Sequence, residues 1–206
     1  MKAKKLIALV LALVMALSLV ACGNKADEKV SLNVIAAQYG GKAYASYEEL
    51  LADPEIEAVA VETDEIHLLK YAQMAADHGK HIHMEKPGSQ CLADFEHLID
   101  SARKSDKVFH VGYMYRYNPF VIDLLERVKK GEFGKIYSVE AHMSRFDNKE
   151  TREWFNSFQG GMMFFLGCHL VDLVLLLQGL PTNVIPLNTK TGIDDVYSED
   201  LGIAAL

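Results

Sequence analysis

Two side chains stand out for the chemistry they could do, Lys86 and His169. Lys86 sits in the stretch Gly79-Lys80-His81-Ile82-His83-Met84-Glu85-Lys86-Pro87. Gly79 suits the left-handed position that closes a helix. His81 to Met84 is short, partly β-prone and bounded by turn residues, so it reads as a buried strand. Pro87 lacks a backbone donor and ends that strand. Lys86 is therefore expected just past the carboxyl end of a strand, the edge where open α/β sheets bind ligands. A lysine there serves as a point charge, or as a proton donor if its pKa is lowered. A solvated surface lysine is the alternative.

His169 lies in the apolar stretch 162–177, three residues before Asp172. On a helix that spacing puts both on one face, where a carboxylate can orient the imidazole. A neutral histidine beside a pocket can take the proton of an alcohol while a hydride leaves the same carbon. A satisfied core histidine is the competing reading.

The elements that must position these groups follow from pattern. With 206 residues the chain can form one large or two small domains, and 50% apolar content is enough for a core. A formal charge of −7 leaves no basic footprint, so nucleic acid is not an expected partner. The three cysteines, Cys22, Cys91 and Cys168, do not describe a disulfide framework. No paired Cys-x-x-Cys or His-x-x-x-His spacing occurs, so no metal site is expected, and His81 and His83 read as surface or core histidines.

Residues 1–22 read as a targeting segment. Lys2, Lys4 and Lys5 precede an apolar run from Leu6 to Val20 that is short for a membrane span. Leu19-Val20-Ala21-Cys22 resembles a bacterial lipoprotein signal, with Cys22 as the lipidated residue and an extracytoplasmic, membrane-anchored location implied. An uncleaved anchor or a buried helix is the alternative. Residues 23–41 read as a tether with an orphan strand over 31–37.

From Lys42 onward the pattern is α/β. Ser46 and Glu49 form a capping box for a short helix from Tyr47 to Ala52. Ala58 to Val61 is an apolar strand, and 66–78 has helical periodicity. A second amphipathic helix is expected over 92–105 and a third strand over 108–111. This alternation implies parallel strands joined by right-handed crossovers. Pro119 opens a helix ending near Lys129-Lys130-Gly131. A strand of a second sheet is expected over 136–145, a buried helix over 162–177, and further strands over 184–187 and 198–206.

The lysine stretch and its neighbours resemble the glucose–fructose oxidoreductase / inositol dehydrogenase / MocA (Gfo/Idh/MocA) family. The resemblance is carried by Ser46-Tyr47-Glu48-Glu49-Leu50-Leu51-Ala52-Asp53-Pro54, Glu57-Ala58-Val59-Ala60-Val61 and the Glu85-Lys86-Pro87 loop. It continues through Gly112-Tyr113-Met114-Tyr115-Arg116-Tyr117-Asn118-Pro119, Gly131-Glu132-Phe133-Gly134-Lys135-Ile136, and Gly160-Gly161 leading to Gly167-Cys168-His169-Leu170-Val171-Asp172. It implies an α/β fold: a partial Rossmann-type parallel sheet over 42–118, then a truncated α+β domain with a mostly antiparallel sheet over 119–206. It also implies hydride transfer between NAD or NADP and a sugar or cyclitol hydroxyl, and a homo-oligomer formed through the second-domain sheet. By resemblance Lys86 and His169 are catalytic. Thr63, Glu85, Lys86 and Arg116 line the nicotinamide side of the cofactor, and Tyr117, Trp154, His169 and Asp172 meet the substrate. A structural ion pair is the alternative for Arg116. Tyr113, Tyr115, Tyr117 and Trp154 could instead be interface or core residues.

Two departures from the family pattern shape the expectations. Phe165 stands four residues before His169, where sugar-oxidising members commonly carry an aspartate. No Gly-x-Gly-x-x-Gly occurs anywhere, and residues 1–41 stand in place of the opening βαβ unit. The second domain also stops earlier than is usual in the family. The expectation is a truncated oxidoreductase whose turnover is in question, or a misjoined chain. The alternative function is an extracytoplasmic carbohydrate-binding lipoprotein without redox activity.

Overall fold

The structure is a computed structural model that describes residues 40–206. The signal expected over 1–22 with its Cys22, and the strand expected over 31–37, lie outside the described residues. None of the described helices is long and apolar enough to cross a membrane. The chain forms two compact units, one ending at Gly112 and the other running from Tyr113 to Leu206.

The first unit alternates α1 (Tyr47–Ala52), β1 (Ala58–Val61), α2 (Glu65–Asp77), β2 (His81–Met84), α3 (Leu92–Lys104) and β3 (Phe109–Val111). The strands pair in parallel in the order β1-β2-β3. Ala60 faces His83 across one pair, and His83 faces His110 across the next. Because side chains alternate along a strand, Val59, Val61, Ile82 and Met84 share one face and are buried. Leu68, Ala72, Ala75 and Ala76 of α2, with Leu98 and Ala102 of α3, are buried with them. Three alanines on α2 bring its backbone close to the sheet.

The helix ends explain why the chain turns where it does. Ser46 Oγ accepts from Glu49 N at 3.1 Å, and Glu49 Oε2 accepts from Ala45 N at 2.9 Å. This is a capping box shifted back by one residue. Helix α2 ends in a Schellman motif. Gly79, at φ +63°, donates to Ala76 O at 2.9 Å, and Lys80 N donates to Ala75 O at 3.1 Å. Lys80 then buries its side chain, and its Nζ donates to Asp53 O at 2.9 Å and Ile56 O at 2.7 Å. One ammonium thus ties the loop after α1 to the entrance of β2.

The second unit opens with a 3₁₀ turn, Met114–Tyr117, followed by α4 (Pro119–Lys129). Asn118 Oδ1 caps α4 by accepting from Phe120 N at 2.9 Å, with Pro119 in the first helical position. Next come α5 (Lys149–Trp154), a π turn (Met163–Gly167) and α6 (Cys168–Gln178). The 3₁₀ turn packs against α4 and α6, which is why the units divide after Gly112 and not after residue 118. Strands β4 (Ile185–Pro186) and β5 (Ala204–Ala205) pair antiparallel, joined by one further bridge between Thr189 and Leu201.

Three expectations for this unit are corrected. Residues 136–145 form no strand. Alternation makes a strand only where a neighbour takes up its backbone groups, and no described segment pairs with this one. The helix expected over 162–177 exists, but it begins with the π turn and is not buried all round. Its buried positions include His169 and Asp172, while most of its apolar residues are half-buried and Leu176 is exposed. The strands expected over 184–187 and 198–206 shorten because side chains hold the segment between them. Thr191 Oγ1 donates to Asp200 Oδ2 at 2.6 Å, and Arg152 Nη1 donates to Ile193 O at 3.0 Å.

Replacing Lys80 with Met keeps the apolar stem and strands two carbonyls in the interior. Urea unfolding should show the first unit weakened by about 2–3 kcal/mol. A change under about 0.5 kcal/mol would mean the ammonium ties nothing.

Candidate functional site

In the first unit the parallel ladder brings three strand exits to one edge. Thr63 follows β1, Glu85 and Lys86 follow β2, and Gly112 follows β3. The last ladder bonds fix this edge: Glu85 N donates to Val61 O at 2.9 Å, and Gly112 N donates to Met84 O at 2.8 Å. Thr63, Glu85 and Lys86 are each half-buried there, and the Lys86–Pro87 peptide is cis. The structure thus brings Thr63, Glu85 and Lys86 to a common edge; the sequence pattern places Lys86 there, and the other two were named only by the family resemblance.

Glu85 is held on several sides. Its carboxylate lies over the Cα of Gly112, where a Cβ would come within 2.8 Å of Oε1. Glycine at 112 therefore makes room for the acid. Glu85 Oε2 accepts from Lys86 N at 3.4 Å, and Oε1 lies 3.6 Å from His83 Nε2. His83 in turn contacts His110, Nδ1 to Nδ1, at 2.8 Å.

Glu65, the first residue of α2, completes this acidic and basic group. Burial pushes its carboxyl above the ordinary range; the Lys86 cation opposes that and the Glu85 charge adds to it. Sequence reading missed Glu65. The available signal was its place two residues beyond Thr63, at the start of the helix that leaves the same edge.

In the second unit Arg116 and Asp172 meet each other. Arg116 Nε donates to Asp172 Oδ2 at 2.8 Å, and Nη2 donates to Oδ1 at 2.5 Å. Asp172 is buried while the Arg116 side chain is about half exposed. The fork raises the affinity of Arg116 for its proton, chiefly through the hydrogen bond to Asp172. The pairing gives both residues a structural role in addition to the cofactor and substrate roles expected of them.

His169 is buried, and the rings of Tyr115 and Tyr113 approach it edge-on at centroid distances of 5.0 and 6.0 Å. Burial pushes the Tyr113 hydroxyl up to about 12, with Cys168 and Asp172 adding to the shift. Tyr117 is exposed. Trp154 is half-buried in an aromatic cluster, 5.0 Å from Phe158 and 5.2 Å from Phe165 between centroids. Arg145 lies over the Phe165 ring at 4.9 Å and pairs with Asp147 at 2.6 Å. Lys86 and His169 belong to different units, and each is organised by its own neighbours.

A three-stranded parallel sheet with paired exits of this kind defines a Rossmann-type α/β protein. Comparison with known proteins agrees. Residues 15–113 match the model "Oxidoreductase family, NAD-binding Rossmann fold", and residues 121–205 match the C-terminal domain of the same GFO/IDH/MocA family. The chain belongs to the Gfo/Idh/MocA family of oxidoreductases. It is 29% identical over 157 residues to D-xylose 1-dehydrogenase (NADP(+)) 2 of Haloferax volcanii, covering 74% of this chain and 48% of that protein. It is 27% identical over 136 residues to trans-1,2-dihydrobenzene-1,2-diol dehydrogenase of Danio rerio, covering 66% and 41%. In fold it is similar to an aldose-aldose oxidoreductase from Caulobacter crescentus, at TM-score 0.71 and 22% identity, covering 83% of this chain and 53% of that one. The chain spans about half, or less, of the length of these proteins.

Two outcomes follow from the geometry. A carboxyl whose folded pKa lies above its unfolded value binds its proton more tightly in the folded state. Its contribution to stability is present at low pH and is lost as pH rises through the folded pKa. Glu65→Gln should therefore raise the melting temperature relative to wild type at pH 7, and the gain should shrink toward pH 4. An equal gain at both values would contradict the burial of Glu65. Arg116→Ala leaves Asp172 charged and buried. It should cost about 2–3 kcal/mol by chemical denaturation, with Asp172→Asn partly restoring the loss in the double variant.

Proposed function

We propose that the chain transfers hydride between NAD(P) and a ring-borne hydroxyl, with a sugar or cyclitol as substrate. The observation that carries this reading is the strand-exit edge where Thr63, Glu85, Lys86 and Gly112 assemble. A carboxylate and a lysine ammonium, side by side on rigid backbone, suit the ribose and carboxamide end of a nicotinamide nucleotide. The residues present fit that end of the cofactor. Gly112 leaves the close approach that a Cβ would block. None of the described residues forms a Gly-x-Gly-x-x-Gly cradle for the pyrophosphate.

When bound, the nicotinamide supplies the hydride acceptor or donor. Lys86 Nζ supplies a fixed positive charge at the cofactor edge. In the oxidation direction His169 takes the hydroxyl proton onto a ring nitrogen while the carbon gives up hydride, and in reduction it returns that proton. Arg116 and Asp172 anchor α6 and so hold His169 in place. The substrate class rests on the two dehydrogenase relatives, whose named substrates, D-xylose and a dihydrobenzene diol, carry vicinal hydroxyls. Export and membrane attachment through Cys22, and self-association through the second-unit sheet, belong to the same proposal.

Fluorescence titration of the full chain with NADH and NADPH is the first test, followed by cofactor reduction with D-xylose and myo-inositol. Saturable binding of one nucleotide is expected, and Lys86→Ala and His169→Ala should each lower turnover by at least ~10²-fold while the fold is retained. Absence of binding for both nucleotides would retire the proposal.

A further inference from the structure

We propose that His110, His83 and Glu85 form one hydrogen-ordered chain that positions the Glu85 carboxylate, making both histidines positioning residues of the cofactor edge. This rests on the function proposed above for that edge. The cause lies in strand register. His83 and His110 are paired neighbours on β2 and β3, so both rings project on the same sheet face, opposite Ile82 and Met84. Their Nδ1 atoms stand 2.8 Å apart, their ring planes are inclined by 20°, and their centroids are 4.9 Å apart. The centroid separation exceeds the nitrogen contact by about the two ring radii. The imidazoles therefore meet nitrogen to nitrogen, close to one plane, in an N–H···N hydrogen bond.

Such a bond needs one protonated and one bare nitrogen. Glu85 decides which. Its Oε1 lies 3.6 Å from His83 Nε2, and a carboxylate favours a proton on the nitrogen that faces it. His83 therefore carries its proton on Nε2 and presents a bare Nδ1. His110 must then donate from Nδ1–H. This order is the one in which a carboxylate fixes the tautomer of one imidazole and that imidazole fixes the next.

The consequence falls on Glu85. Its carboxylate is bounded by His83 Nε2, by Lys86 N at 3.4 Å, and by the Cα of Gly112. A carboxylate confined on three sides loses little freedom when a nucleotide binds. The pair is not core filler, because the His83 side chain is 43% exposed. The backbone ladder already joins the strands, so two imidazoles in contact on a wet face add direction and not burial.

The test uses the full chain with ¹⁵N-labelled histidine at neutral pH. Imidazole nitrogen shifts should report His83 as the Nε2–H form and His110 as the Nδ1–H form. Glu85→Gln should return His83 to a mixture of tautomers. His110→Phe should weaken NADH or NADPH binding at least fivefold, and His110→Gln, whose amide N–H can still donate to His83, should stay within twofold of wild type. Circular dichroism of each variant checks that the fold is kept. Mixed tautomers in the wild type, or unchanged nucleotide binding in His110→Phe, would overturn the proposal. If the wild type binds neither nucleotide, the function proposed for the edge fails, and the tautomer spectra alone decide whether the chain exists.

Discussion

The chemistry of the first unit hangs on the last two rungs of a parallel ladder, Glu85 N to Val61 O and Gly112 N to Met84 O. These bonds belong to the residues that make up the edge itself. Met84 turns inward to the helices, so Glu85 turns to the opposite face with His81 and His83. A slip of one residue would drive the carboxylate into the core and expose Met84. The apolar pattern Val59, Val61, Ile82 and Met84 therefore specifies more than packing. By forcing the register, it sets which strand exit carries the acid and which residue is the following lysine.

The second unit uses a side-chain fork where the first uses a ladder. Asp172 lies on a helix that follows a π turn. A buried carboxylate there is costly unless it is answered, and the Arg116 fork answers it in good geometry. The same fork fastens the 3₁₀ turn to the helix. That turn carries Tyr115, whose ring, together with that of Tyr113 just before it, flanks His169. Removing either partner would loosen His169 and its aromatic walls together.

Local rules were strong where the chain's own neighbours decide the outcome. The helix Tyr47–Ala52 and the strands Ala58–Val61 and His81–Met84 have the bounds their caps and periodicity suggest. The placement of Lys86 just past a strand exit was legible for the same reason, whereas Thr63 and Glu85 were singled out only by the family resemblance. What could not be read depends on partners distant in the chain. Arg116 and Asp172 are separated by 56 positions, and His83 and His110 by 27. The alternation over 136–145 describes how a strand would present its side chains. It is silent on whether another segment supplies the ladder, and none of the described ones does.

Phe165 shows how the π turn alters a reading made on helical spacing. Four residues separate it from His169, which on a regular α-helix would stack the two on one face. The segment Met163–Gly167 has the wider π winding, so the two positions do not keep α-helical phase. Phe165 packs with Trp154 and Phe155 beneath the guanidinium of Arg145, whereas His169 packs with Tyr113 and Tyr115. Trp154 is drawn into the same cluster, edge-on to Phe165. The residue type at 165 therefore answers to the packing of an aromatic cluster whose centre, Phe155, is almost fully buried. A carboxylate there would have to enter beside the rings of Trp154 and Phe155 and an arginine already paired to Asp147, so the residue type at 165 answers to the demands of that cluster.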